Sequence, residues 1–276
     1  MKRLLTVLLI LLAVLSLGSA VGYSIHRARA TGGEAPMIYF DADEIDVTSD
    51  AAAEELLQGV TARDPEDGDV SESVMVEGVS SMEDGAVTVT YVAFDSQGHV
   101  GRASRQARYT DYTSPRFTMS RPMVFASNGV NDMMDGIGAK DCIDGDISAS
   151  VRASYFNQDE PLTATGDHDV ELRVTNSVGE TVRLTVPVRV QSESPRTDQI
   201  PLKAYLVYLE KNSAFDPLSY LSPDMAEAAQ REGTDRLTVN IKSNVDLTTE
   251  GVYAVDYTSV RNEQTVATTR LIVVVE

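Results

Sequence analysis

The chain has 276 residues, 42% of them hydrophobic, with 6% aromatics and no Trp, so several small domains suit it better than one large enzyme core. Asp and Glu outnumber Lys and Arg by 42 to 23, a net charge of -19, and a polyanion would have to bind against the field of the whole molecule, which excludes nucleic acid as a general partner. The single cysteine, Cys142, excludes an intrachain disulfide, so stability must come from packing.

Lys2 and Arg3 precede an uncharged, mainly apolar run from Leu4 to Ile25. Roughly 20 residues at about 1.5 Å each cross a bilayer core of about 30 Å. Residues 1–30 therefore read as an N-terminal transmembrane helix, a signal anchor with the C-terminal part extracellular. The alternative is a cleaved signal peptide and secretion, with Gly18, Ser19 and Ala20 as the small residues a peptidase needs. Residues 31–35 form a short tether.

Beyond the tether the chain repeats itself. Ala51 to Gln58 predicts a short helix, and Asp64-Pro65-Glu66-Asp67-Gly68-Asp69-Val70 then opens an acidic loop that returns as Asp141-Cys142-Ile143-Asp144-Gly145-Asp146-Ile147. Late in each repeat a strand alternates, with one face formed by Val89, Tyr91 and Ala93 in the first repeat, Val170, Leu172 and Val174 in the second, and Val255, Tyr257 and Ser259 in the third. The turns Asp95-Ser96-Gln97-Gly98 and Asn176-Ser177-Val178-Gly179 join the first two of these strands to return strands, because Asp or Asn bonds its own backbone and Gly supplies positive φ. In the third repeat Pro223 to Glu232 predicts another short helix, and Leu271 to Val275 closes the last hairpin. Three all-β domains follow, at 36–113, 114–194 and 195–276, joined at Pro115 and Pro195 into a semi-rigid rod.

The run from Gly59 to Val70, the Gly85 strand and the Asp95 to Gly98 turn resemble the bacterial immunoglobulin-like surface repeat of pesticidal crystal proteins of the Cry22 type. The resemblance implies tandem immunoglobulin-like β-sandwiches displayed outside the cell as spacers or binding modules, with no catalytic residues. It weakens along the chain: His99 replaces the family's Asn, Asn176 replaces the turn Asp, and the third repeat has no Asp-Gly-Asp loop and is a divergent domain.

Asp64, Glu66, Asp67 and Asp69, and in the second loop Asp141, Asp144 and Asp146, are candidate calcium ligands, because calcium takes six to eight hard oxygens. The competing reading is a tight turn, in which Asp side chains cap backbone amides and Gly is left-handed. No cofactor is required on either reading. His26, His99 and His168 stand at no spacing that makes a metal pair or a nucleophile's base, so no enzyme is expected. Cys142 reads as a small apolar residue. Tyr205, Tyr208, Phe215 and Tyr220 offer the divergent domain a face for a wall glycan or an extracellular protein, with core packing as the competing role. The function expected is a non-catalytic cell-surface spacer or adhesion module, with recognition through the third domain as the alternative.

Overall fold

The computed structural model describes residues 33–51, 53–130, 133–155, 163–230, 238–261 and 264–276. The fold is all-β with several sheets, and the chain divides into two compact units, Met1–Tyr112 and Thr113–Glu276.

The first unit contains β1 (Met37–Phe40), β2 (Glu44–Val47), helix α1 (Ala53–Leu56), β3 (Val60–Asp64), β4 (Gly68–Asp69), β5 (Met75–Val79), β6 (Ala86–Phe94) and β7 (Val100–Tyr109). They form a three-stranded sheet, β1-β3-β4, and a four-stranded sheet, β2-β7-β6-β5. The alternation read in the sequence places Val87, Val89, Tyr91 and Ala93 inward, where each is at most 1% exposed, beside Ala62 and Ala107. Each fully buried Val removes about 1.5–3 kcal/mol worth of apolar surface from water. One inward position is charged. Arg105 stands where the second unit has the buried Val186, and its guanidinium donates to the carbonyls of Leu56 (2.9 Å) and Gln58 (2.6 Å) and to the Tyr91 hydroxyl (3.1 Å). A buried Arg thus holds the end of α1, while Asp41 lies 3.6 Å from its remaining nitrogen.

The second unit contains β8 (Arg116–Met119), β9 (Val124–Ala126), β10 (Ile137–Asp141), β11 (Gly145–Asp146), β12 (Arg152–Tyr155), β13 (Gly166–Thr175), β14 (Thr181–Gln191), β15 (Leu206–Leu209), helix α2 (Pro223–Gln230), β16 (Thr238–Ser243), β17 (Gly251–Arg261) and β18 (Gln264–Val275). Its sheets are β8-β10-β11, β12-β13-β14-β9 and β15-β18-β17-β16. The first two repeat the pairing scheme of the first unit, with Val170, Leu172, Val174, Val186 and Val188 inward. The third sheet is a layer buried on both sides. Ile272 and Val274 join the core of the preceding sheets, while Leu271, Val273 and Val275 pack with Ile200, Leu202, Leu221 and Tyr257. An unbroken apolar run in β18 reflects this, since a strand covered on both faces loses its polar alternation.

Charge as well as apolar area joins that layer to its neighbour. Arg270 on β18, 2% exposed, donates through Nε to Asp256 (2.6 Å), through Nη1 to the Pro187 carbonyl (3.0 Å) and through Nη2 to Asp167 (3.0 Å). Arg189 on β14 donates to both Asp167 (2.6 Å) and Asp256 (2.6 Å), closing a ring of two cations and two anions. Burial opposes ionisation of Asp167, but the two guanidiniums outweigh it and hold its carboxyl below the usual range.

The single-pass membrane placement expected from the sequence is corrected. Among the described residues no helix is long and apolar enough to cross a membrane, α1 and α2 having 4 and 8 residues against the roughly 20 required. The apolar run at residues 4–25, like His26, lies outside the described residues. The predicted helices are found in part: Ala51 to Gln58 shortens to α1, and α2 ends at Gln230, with 231–232 outside the described residues.

Candidate functional site

Both acidic loops are two-residue strands flanked by turns, and their carboxylates organise backbone. Asp64 ends β3 and is 6% exposed; its Oδ1 accepts from the amides of Glu66 (2.8 Å) and Asp67 (2.9 Å). Gly68 follows at φ +79°, a conformation that would strain an L side chain. Asp67 reaches across to the hairpin turn after β6, accepting from the Ser96 amide (2.6 Å) and hydroxyl (3.0 Å). Glu66 accepts from Gln97 Nε2 on the same turn. Asp69 turns away and caps the next short helical turn through Ser71, whose hydroxyl (2.6 Å) and amide (3.0 Å) hold the carboxyl below the usual range.

The second loop repeats these bonds. Asp141 Oδ1 accepts from the amides of Ile143 and Asp144, both at 2.9 Å, and Asp144 accepts from the Ser177 amide and hydroxyl, both at 2.6 Å. Asp146 caps Ser148 at 2.9 Å and is likewise held below the usual range, the Ser148 side chain first among the causes. In each unit the strap from loop to hairpin ties the two sheets at one end.

The candidate ligands therefore do not all converge. Asp67 and Glu66 reach the hairpin turn at Ser96 and Gln97, Asp64 bonds the amides of its own loop, and Asp69 leaves the group for Ser71; in the second loop Asp144 reaches Ser177, Asp141 meets Asn176, and Asp146 turns to Ser148. Among the described residues, no three of His, Cys, Asp or Glu stand together as a metal-binding group. The turn residues that complete the site were read only as hairpin signals. Asp95 accepts from the amides of Gln97 (2.8 Å) and His99 (2.7 Å) through Oδ1, and its Oδ2 meets the His99 ring. Burial opposes ionisation of Asp95, and these three bonds outweigh it, holding its pKa low. In the second unit Asn176 Oδ1 accepts from the Glu180 amide (2.8 Å), and its Nδ2 donates to Asp141 Oδ2 (3.1 Å). The signal available was the repeated Asp/Asn-Ser-x-Gly spacing.

The aromatic residues of the divergent region are packed. Tyr205, Phe215 and Tyr220 lie against the core formed with Leu271 and Val273, and Tyr208 against that of the preceding sheets. The Tyr208 hydroxyl accepts from the Phe117 amide (3.0 Å), and Arg116 covers its ring 4.7 Å from the centroid. Beside them runs an open groove of about 710 Å³ between β8 and β15, lined by Arg116, Phe117, Cys142, Tyr208 and Tyr220 among others. Cys142 is half-buried, its Sγ bonded to the Thr113 carbonyl at 3.2 Å. His168 bonds the Ala164 carbonyl at 2.7 Å.

No family model and no curated protein matches the chain. Among solved structures it is similar to one of CBM51-2 in complex with GlcNAc and INT domains from Clostridium perfringens ZmpB, at 18% identity and TM-score 0.23 over 54% of this chain and 26% of that one. It is also similar to the protocadherin GammaB4 extracellular domain, at 11% identity and TM-score 0.19 over 87% and 49%. A third is the lipoprotein BT2262 from Bacteroides thetaiotaomicron, at 11% and 0.19 over 86% and 98%. The chain spans about a quarter and a half of the first two. At these scores the fold rests on the strand pairing itself.

Proposed function

We propose that the chain is a non-catalytic spacer or adhesion module built from immunoglobulin-like sandwiches. The observation that carries this reading is the duplication of the strapped turn. Asp67 to Ser96 and Asp144 to Ser177 are the same two bonds at the same place in two units. The repeated charged residues thus tie sheet to sheet, which is what a spacer under load needs, and the resemblance to bacterial surface repeats agrees with it. The Arg270 ring does the same work for the last sheet.

Pulling the chain between two handles tests it. A spacer resists extension as whole units, and cutting the straps with Asp67→Ala and Asp144→Ala lowers the unfolding force of both units. Unchanged forces in the variant would overturn the reading. The second reading, recognition of a wall glycan or an extracellular protein, is favoured by the groove at Tyr208 and Tyr220. It predicts binding to a wall-polysaccharide panel that Tyr220→Ala abolishes, and a panel without binders removes its glycan form.

A further inference from the structure

Three arginines stand in one row across the outer face of a sheet in the second unit. Arg152 on β12 lies opposite Arg173 on β13, which lies opposite Arg183 on β14, and all three are exposed. Neighbouring strands run about 4.8 Å apart, and like charges directly opposite one another destabilise a sheet. The fold does not require the row. At the matching place, three residues before the turn, the first unit has Val92 between Met75 and Arg102, and that arginine is paired with Glu77 at 2.9 Å. Among the described residues Arg152, Arg173 and Arg183 have no carboxylate partner, and Glu171, on the same face, stands in the next row between Ser154 and Thr185.

Arg152 is anchored on the backbone: its Nη1 donates to the Ala149 (2.9 Å) and Val151 (2.8 Å) carbonyls, leaving Nε and Nη2 for another acceptor. Beside it an open cavity of about 280 Å³ is lined by Ser150, Arg152, Arg173, Val174 and Thr175. Guanidiniums and hydroxyls donate to an oxyanion, and a phosphomonoester brings three acceptor oxygens and a charge of about -1.5 to -2 at pH 7. We infer that the row binds the phosphomonoester of a phosphorylated sugar, with Arg152 and Arg173 forking its oxygens and Arg183 adding charge from the next strand. The cavity is smaller than the roughly 300–1,000 Å³ of larger ligand sites, which suits one sugar-sized unit. Ser150 and Thr175 offer partners for sugar hydroxyls, while no aromatic side chain stands in these rows to anchor a peptide. A long polyanion would meet the field of a chain of net charge -19 beyond the row, whereas a single phosphate touches the row alone. The cavity shares no residue with the groove at Tyr208, so the inference depends on neither the spacer nor the groove.

The test uses the full chain at constant ionic strength with glucose 6-phosphate, inorganic phosphate, glucose and a phosphoserine peptide, read by calorimetry and the backbone amide resonances of Ser150, Arg173 and Thr175. Glucose 6-phosphate is expected to bind with a Kd on the order of 1 mM and to shift all three amides, inorganic phosphate to bind at least about threefold more weakly, and glucose not at all. Binding is expected to fall as pH drops through about 6, where the dianion gains a proton. Arg173→Val installs the first unit's residue; it weakens binding at least about tenfold and melts at or above the wild-type temperature, since a like-charge neighbour is gone. Arg152→Met, the companion exchange, decides the matter should Arg173→Val fail to fold, and Arg102→Ala leaves binding unchanged. The inference is overturned if glucose 6-phosphate shifts none of these amides, or if Arg173→Val binds it as the wild type does. Equal affinity for inorganic phosphate overturns it as an adventitious anion contact only, and tighter binding of the peptide overturns the sugar.

Discussion

At the scale of single residues, the same side chain type does different work according to what the turn places beside it. Asp69 and Asp146 are exposed helical-turn caps whose partners are Ser71 and Ser148. Their folded pKa values lie below the ordinary 3.8, so their contribution to stability is present above that value and is lost as pH falls through the lowered folded value. Replacing Ser71 and Ser148 by Ala removes the first cause of the shift, and an acid titration followed by circular dichroism should show a shallower loss of stability below about pH 4. Arg105 is the opposite case, a charge at a core position. Arg105→Leu suits the surrounding apolar side chains but leaves the Gln58 carbonyl and the Tyr91 hydroxyl without their guanidinium donor, while the Leu56 carbonyl keeps the Tyr91 hydroxyl at 2.7 Å. The expected cost is about 2 kcal/mol, read in the denaturant midpoint of the first unit alone.

At the scale of elements, β18 decides how the C-terminal part is organised. Its alternate residues feed two cores, and Arg270 interrupts one face with a charge that only Asp256, Asp167 and the Pro187 carbonyl make tolerable. Arg270→Ala leaves Asp256, 8% exposed, with Arg189 as its remaining cation. The expected loss is about 3 kcal/mol, at the lower end for a broken buried pair because Arg189 stays. Chemical denaturation should place that loss in the second unit and leave the first unit's transition where it was. Tyr257, on the other face, donates to the Pro217 carbonyl at 2.7 Å, and burial first among the causes pushes its hydroxyl well above the usual range.

At the scale of the whole molecule, the division at Tyr112 and Thr113 is expected to appear as two cooperative transitions in calorimetry, with residues 113–276 melting as one because their sheets share buried residues. Separate melting of 195–276 would contradict that sharing. The strands, hairpins and their inward faces were legible in the sequence, because period-two alternation at Val170, Leu172 and Val174 and the Asn176 to Gly179 turn are set by neighbours in the chain. So was the turn role of the acidic loops, whose Asp64 and Asp141 bond amides two and three residues on. Partners distant in sequence were not legible. Asp67 meets Ser96, Arg105 meets Leu56, and Arg270 meets Pro187 and Asp167 only after the sheets stack, since nothing local in the chain encodes which carbonyl or carboxylate a side chain will find across a layer. The sequence by itself thus determined the all-β elements and their turns. Only the tertiary structure decided that Leu271 to Val275 would be covered on both faces and that Asp64 Oδ2 would be buried without a hydrogen-bond partner, because burial is a property of what packs from elsewhere.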